Sequence, residues 1–170
     1  MGYLHDTAMC QYIPPTAFHT VTATAVLSQA AGAVAGTICL ARAAADEVSV
    51  FNVPIILPSN TVALKGAKLT KVEVDYTNAG AEATSWGFVL NKNTRGANGA
   101  AAVKEIIPTT TSIAAADSHA VDEIRQVVTV TTPSWTDDDE YFLLEVIMTA
   151  GGAVATTKIT AAFAYYTLRL

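Results

Sequence analysis

Residues 68–76 read Lys-Leu-Thr-Lys-Val-Glu-Val-Asp-Tyr, with Val72, Val74 and Tyr76 on one parity and Glu73 and Asp75 on the other. A period of two sends successive side chains to opposite faces, so this segment is a strand with one buried and one wet face. The same logic recurs along the chain. Residues 84–91 set Trp86, Phe88 and Leu90 on one side, and residues 19–27 alternate Val21, Ala23, Ala25 and Leu27 with Thr20, Thr22 and Thr24. Residues 47–57 carry Val48, Val50, Phe51, Val53, Ile55 and Ile56 around Pro54, which lacks a ladder donor and marks an edge or a bulge. Segments 100–107, 124–132, 141–150 and 156–170 read as further strands. Segment 33–42 has an alanine-rich helix as its rival, but Gly36, Thr37 and Ile38 favour a strand.

Two parity breaks refine the pattern. Leu69 falls opposite to Val72, so a bulge near Thr70 or Lys71 would return both to the core, and the last strand changes parity between Tyr165 and Tyr166. Between strands, residues 59–66 suit one helical turn from Ser59 to Gly66, residues 91–99 an exposed loop, and residues 109–120 a surface path. No 20–50-residue repeat is present, which disfavours a propeller or solenoid. The sum is an all-β chain: an antiparallel, jelly-roll-like β-sandwich of eight or nine strands over residues 18–170, preceded by an arm at residues 1–17.

Composition bounds the partners. Of 170 residues, 31 are alanine and 23 threonine, so the core is built largely from small side chains. Ten Lys plus Arg against fifteen Asp plus Glu leave a net charge of -5, the wrong sign for neutralising phosphates, so nucleic acid is not an expected partner. No apolar run is long enough for a membrane helix, and Met1 does not open a basic-then-apolar signal, so a soluble chain without membrane partner or secretion signal is expected.

Polar residues offer little chemistry. Asp137, Asp138, Asp139 and Glu140 have the oxygens that calcium prefers, but they lack EF-hand spacing and read better as a solvated turn whose charge discourages edge pairing. His5, His19 and His119 stand apart, without metal-pair spacing or a neighbouring nucleophile. Gly96 and Gly99 lack the lysine of a phosphate loop. Cys10 and Cys39 allow one disulfide, but free small hydrophobes is the simpler reading. Trp86, Trp135, Tyr141, Tyr165 and Tyr166 suit either a sugar-stacking platform or an inner sandwich face, core packing being favoured. The threonine-coated strand 19–27 suits either close approach of another subunit or simple strand propensity. No catalytic residue, metal or cofactor is expected.

The arm carries the sharpest expectation. Tyr3, Leu4, Met9, Tyr12 and Ile13, with Phe18 at its root, are too apolar for water and too irregular for an amphipathic helix. The sandwich fills its own core, so the arm is expected to dock on a neighbouring subunit or the capsid, and its deletion to leave a folded domain that no longer assembles or attaches to particles.

The run Pro54-Ile55-Ile56-Leu57-Pro58-Ser59-Asn60, then Leu64 to Leu69 and the strand to Tyr76, resembles β-sandwich structural proteins of tailed bacteriophages and related viruses. Pro133-Ser134-Trp135 before the acidic turn, and a closing Tyr165-Tyr166-Thr167-Leu168-Arg169-Leu170, are similar in style. The resemblance covers residues 17–170 and implies a non-enzymatic virion protein. A capsid decoration or head-fibre subunit is the reading it favours, often trimeric, binding copies of itself and other virion proteins such as the major capsid protein. The alternative is a carbohydrate- or receptor-binding module of a phage tail or cell surface, using Trp86 or Trp135 with acidic loop residues.

Overall fold

A computed structural model describes residues 5–21, 27–31, 38–42, 48–58, 66–79, 83–111, 123–150 and 156–169. Among them are twelve strands: β1 (Asp6–Ile13), β2 (His19–Thr20), β3 (Leu27–Ala31), β4 (Ile38–Arg42), β5 (Val48–Ile55), β6 (Ala67–Ala79), β7 (Ala83–Thr94), β8 (Val103–Ile107), β9 (Thr109–Thr111), β10 (Glu123–Val130), β11 (Glu140–Ala150) and β12 (Thr156–Arg169). Two antiparallel sheets form. One runs β3-β4-β12-β6-β10-β9, with β1 also paired to β12, and the other runs β2-β5-β11-β7-β8. Apart from the β3–β4, β7–β8 and β9–β10 steps, each connection carries the chain from one sheet to the other. That crossing habit makes the sandwich jelly-roll-like.

The alternation decides which face is buried. Leu69, Val72, Val74 and Tyr76 of β6, with Ile159, Ala162, Ala164 and Tyr166 of β12, turn inward against Phe51, Val53 and Ile55 of β5 and Phe142, Leu144 and Val146 of β11. Tyr76 stacks on Trp86 across the gap, ring centroids 4.1 Å apart, so one aromatic pair joins the two sheets. Pro54 sits on β5 beyond the short reach of β2, which pairs only with Phe51 and Asn52, so the proline occupies an open edge as its chemistry requires.

The bulge expected near Thr70 or Lys71 is on β6 at Thr70, and the parity change read at Tyr165 and Tyr166 of β12 is the other side of that same bulge. Opposite Tyr165 and Tyr166 the extra residue is Thr70 of β6, and the bulge within β12 is at Thr160, between Ile159 and Ala161. Thr70 donates its hydroxyl to the Tyr165 carbonyl at 2.9 Å, and Thr160 donates to the Asp75 carbonyl at 3.2 Å. Each threonine thus satisfies a carbonyl across its own bulge. Thr70→Val or Thr160→Val removes that donor and is expected to cost about 1 kcal/mol, checked by urea unfolding.

Four segments differ from the sequence reading. Residues 91–94, read as the start of an exposed loop, continue β7, and Asn91 and Asn93 are buried there because register sets them beside β8 and β11. Residues 19–27 are not one strand: His19–Thr20 pairs in the five-stranded sheet and Leu27–Ala31 in the other, while residues 22–26, with most of the threonine pattern, lie outside the described residues. Within 109–120, Thr109–Thr111 pairs with β10. The largest difference is the arm. Asp6–Ile13 pairs residue for residue with Arg169–Ala162 of β12, so this stretch is an edge strand of the domain's own sheet. The helical turn read at 59–66 falls almost wholly outside the described residues.

Candidate functional site

The outer face of the larger sheet is aromatic and charged. On β6 the residues between the core positions are Lys71, Glu73 and Asp75, and antiparallel register sets them beside Tyr165, Phe163 and Ala161 of β12 and beside Thr129, Val127 and Arg125 of β10. Glu73 is only 6% exposed although it faces outward. Its carboxylate accepts from Lys71 Nζ at 2.7 Å and from the Tyr165 hydroxyl at 2.9 Å. Arg125 forks onto Asp75 at 2.7 and 2.9 Å, and Lys71 lies 4.1 Å over the Tyr165 ring. At the sheet edge Tyr12 of β1 meets Phe163, ring centroids 5.4 Å apart, with Tyr12 54% exposed.

These contacts shift two acids in opposite directions. Burial pushes the Glu73 carboxyl up, but hydrogen bonds from Lys71 and Tyr165 and the nearby cations outweigh it and hold the group below its ordinary value. The hydrogen bond to Glu73, then burial, pushes the Tyr165 phenol up to about 12. A depressed carboxyl stabilises the fold above its unfolded value of 4.5 and loses that stabilisation as pH falls below it. A raised phenol stabilises the fold below its unfolded value of 10.0 and loses that as pH climbs towards about 12. The clasp therefore holds from about pH 5 to 10. Wild type is expected to exceed Glu73→Gln by about 1–2 kcal/mol in that window, the gap closing at both ends in a pH series of chemical melts.

The outer face of the five-stranded sheet has a different chemistry. β11 turns Tyr141, Leu143, Glu145, Ile147 and Thr149 outward; β5 adds Val50 and Pro54, β7 adds Val89, and β8 adds Ile106, which is 66% exposed. Gly87 lies opposite Ile147, whose side chain covers the space a Cβ at position 87 would reach, 3.8 Å from Ile147 Cδ1. Asn52 and Ser85 also lie on this face, and among the described residues one ion pair, Lys104 to Glu145 at 3.4 Å, crosses it. Asn91 and Asn93 share this face, in register with Leu143 and Tyr141, yet both are buried, and Asn91 Oδ1 and Asn93 Nδ2 have no hydrogen-bond partner within the chain.

At one end of the sandwich, residues 95–100 and 102 with Asp139 line an open cavity of about 630 Å³. Asn98 and Gly99 adopt positive φ there, and a Cβ on Gly96 would overlap the Ala100 carbonyl oxygen. Gly96→Ala is therefore expected to force this loop open, read as faster proteolysis between residues 95 and 102.

The sequence-predicted residues scatter. Of the arm set, Ile13 is buried in the core, Met9 and Tyr12 are exposed on β1, and Tyr3 and Leu4 lie outside the described residues. The five aromatics considered for a sugar platform are not one surface. Trp86 packs inward between Tyr76 and Phe88, and Tyr166 is buried. Trp135 is clamped between Lys68 and Arg169, whose groups lie 4.9 and 4.1 Å from its ring centre, with Arg169 also forked onto Asp6. Only Tyr165 and Tyr141 face outward, and from different sheets. In the acidic turn Asp137, Asp138 and Asp139 are exposed, while Glu140 accepts from the Asp137 amide at 3.0 Å and pairs with Lys92 at 2.9 Å. Among the described residues no group of three or more His, Cys, Asp or Glu is placed to hold a metal ion. His5 and His19 are exposed, and His119 lies outside the described residues. Cys10 is exposed and Cys39 buried, and no disulfide joins the two. Sequence reasoning missed Glu73, Phe163 and Arg125 because polar residues on a wet strand face look alike until register pairs them.

No family model matches the chain, and no curated protein matches it. Solved structures do resemble it. One is the N-terminal CBM22-1–GH10 modules of Clostridium thermocellum endo-1,4-β-D-xylanase 10B complexed with xylohexaose, at 12% identity and a TM-score of 0.47 over 89% of this chain. The chain spans 26% of that protein's length. Another is the family 11 carbohydrate-binding module of the same organism in complex with a β-1,3-1,4-mixed-linked tetrasaccharide, at 8% identity and a TM-score of 0.33, covering 94% of this chain and 87% of that one.

Proposed function

We propose that the chain is a non-enzymatic structural subunit of a virion, of the capsid-decoration or head-fibre kind, that works by binding neighbours through its surfaces. The observation that carries assembly is the aliphatic patch of Leu143, Ile147, Val50, Val89 and Ile106 on the outer face of the five-stranded sheet. Four strands at about 4.8 Å spacing and about five outward rows give roughly 600 Å² on one partner, or over 1,000 Å² for a pair, enough for a specific interface. Its occupant in this reading is the major capsid protein, with Ile147 and Leu143 as anchors and the Lys104–Glu145 pair fixing orientation. The virion setting comes from the sequence resemblance over residues 17–170. Co-sedimentation with purified capsids tests it: wild type should pellet with the particles and Ile147→Glu should stay in the supernatant. Equal pelleting of both would remove this face from the account.

A second reading is glycan binding, supported by the exposed Tyr12 beside Phe163 on the larger sheet, with Glu73 and its Lys71 and Tyr165 partners in register next to Phe163. An exposed ring beside fixed donors and acceptors suits a pyranose. In a glycan array this reading expects a specific signal that Tyr12→Ala abolishes.

A further inference from the structure

We infer that β1 pairs antiparallel with β1 of a second copy of this chain, across a two-fold axis at Cys10. Asp6–Ile13 is eight residues long, pairs on one side with β12, and exposes residues 6–10 and Tyr12. Among the described residues no strand pairs with its other side. Natural sheets guard such edges with charge, proline, shortness or a cover. The other edges here are guarded or short. β8 presents Lys104 and Glu105, so a two-fold through either residue sets like charges face to face. β5 has Pro54 and the cover of β2, β9 has three residues, and β3 has five. From Thr7 to Ile13, by contrast, β1 has no charge and no proline.

The sequence of β1 also selects a register. Antiparallel pairing of a strand with its own copy keeps the two sheet faces in common only when the axis passes through a residue, because opposed residues share a face. With Cys10 on the axis, Tyr12 lies opposite the partner's Ala8, Met9 opposite the partner's Gln11, and Thr7 opposite the partner's Ile13. Tyr12 and Ile13 thus meet small side chains, Met9 meets the flexible, uncharged Gln11, and Asp6 falls outside the ladder, where Arg169 already pairs it. With Met9 on the axis instead, Tyr12 would meet the partner's Asp6 carboxylate. The Cys10 pairing deepens the assembly reading by naming a second surface and its partner, and it requires a two-fold where the sequence resemblance suggests a trimer.

The test uses the full chain. Sedimentation equilibrium under reducing conditions, at tens of micromolar, should give twice the chain mass. Air oxidation with copper–phenanthroline should then give a covalent dimer on a non-reducing gel. Opposed Cα atoms in such a ladder lie about 4.5–5.5 Å apart, within disulfide reach, and dioxygen takes up the two electrons and two protons the thiols release. Cys10→Ser should keep the dimer but abolish the cross-link, because Cys39 is buried. Cys10→Lys places two ammonium groups on the axis and should weaken dimerisation roughly tenfold or more while leaving the monomer's melt intact, since position 10 is exposed. A monomer, a trimer, a dimer that fails to cross-link, or a cross-link that survives Cys10→Ser would overturn the inference. Capsid co-sedimentation reads the virion proposal separately, so either can fail alone.

Discussion

Replacing Tyr76 with alanine is expected to be among the most damaging single substitutions in the protein, lowering stability by about 3–5 kcal/mol. The side chain has no exposed surface, so truncation leaves a cavity that the two sheets can close only by approaching each other. It also removes the 4.1 Å stack that holds Trp86, whose indole nitrogen is buried without a hydrogen-bond partner in the chain. The melting temperature should fall by on the order of 10 °C for a domain of this size. Tyr76→Phe keeps the ring and should recover most of the loss. Calorimetry of the two variants separates ring packing from the hydroxyl.

A chain lacking residues 1–13 is the second large effect. Had these residues formed a detached arm, the domain would melt unchanged without them. The structure sets a different expectation. Ile13 is 3% exposed within the core, and loss of its side chain alone is worth about 2–5 kcal/mol. Truncation also strips the partner ladder from residues 162–169 of β12 and separates Arg169 from Asp6, the latter a minor loss because that pair is largely exposed. The truncated chain should retain a β-type far-ultraviolet spectrum but melt at least 8 °C lower and aggregate through the bared edge of β12. A melt indistinguishable from wild type would return these residues to the status of an arm.

The central strands were legible because burial on one face writes itself into alternation. In β6 the run from Val72 to Tyr76 gave the strand, and the misplaced parity of Leu69 located the bulge at Thr70. In β12 the same reasoning found an irregularity opposite Tyr165 and Tyr166 but assigned it to the wrong strand, since a parity break in one sequence cannot say which partner holds the extra residue. β1 left no such trace. Its outward set is Asp6, Ala8, Cys10 and Tyr12 and its inward set Thr7, Met9, Gln11 and Ile13, so neither face is consistently apolar. Edge strands touch the core at one end only, and β1 does so at Ile13. The outer-face patch proposed for binding was illegible for a related reason. Ile106, Leu143, Ile147 and Val89 come from three strands that the sequence places up to 58 residues apart, and only register gathers them on one outer face. The two tryptophans stood out in the sequence, yet one is a core residue and the other is held between two cations.

The account stands most directly on whether the protein is part of a particle. Mass spectrometry of gradient-purified virions from the culture that makes it is the measurement. Its peptides should band with the major capsid protein, at a constant ratio across the peak and after a high-salt wash, because the proposed contact is mainly aliphatic. Recovery of the protein only in the soluble lysate, with none in the particle peak, would contradict the account.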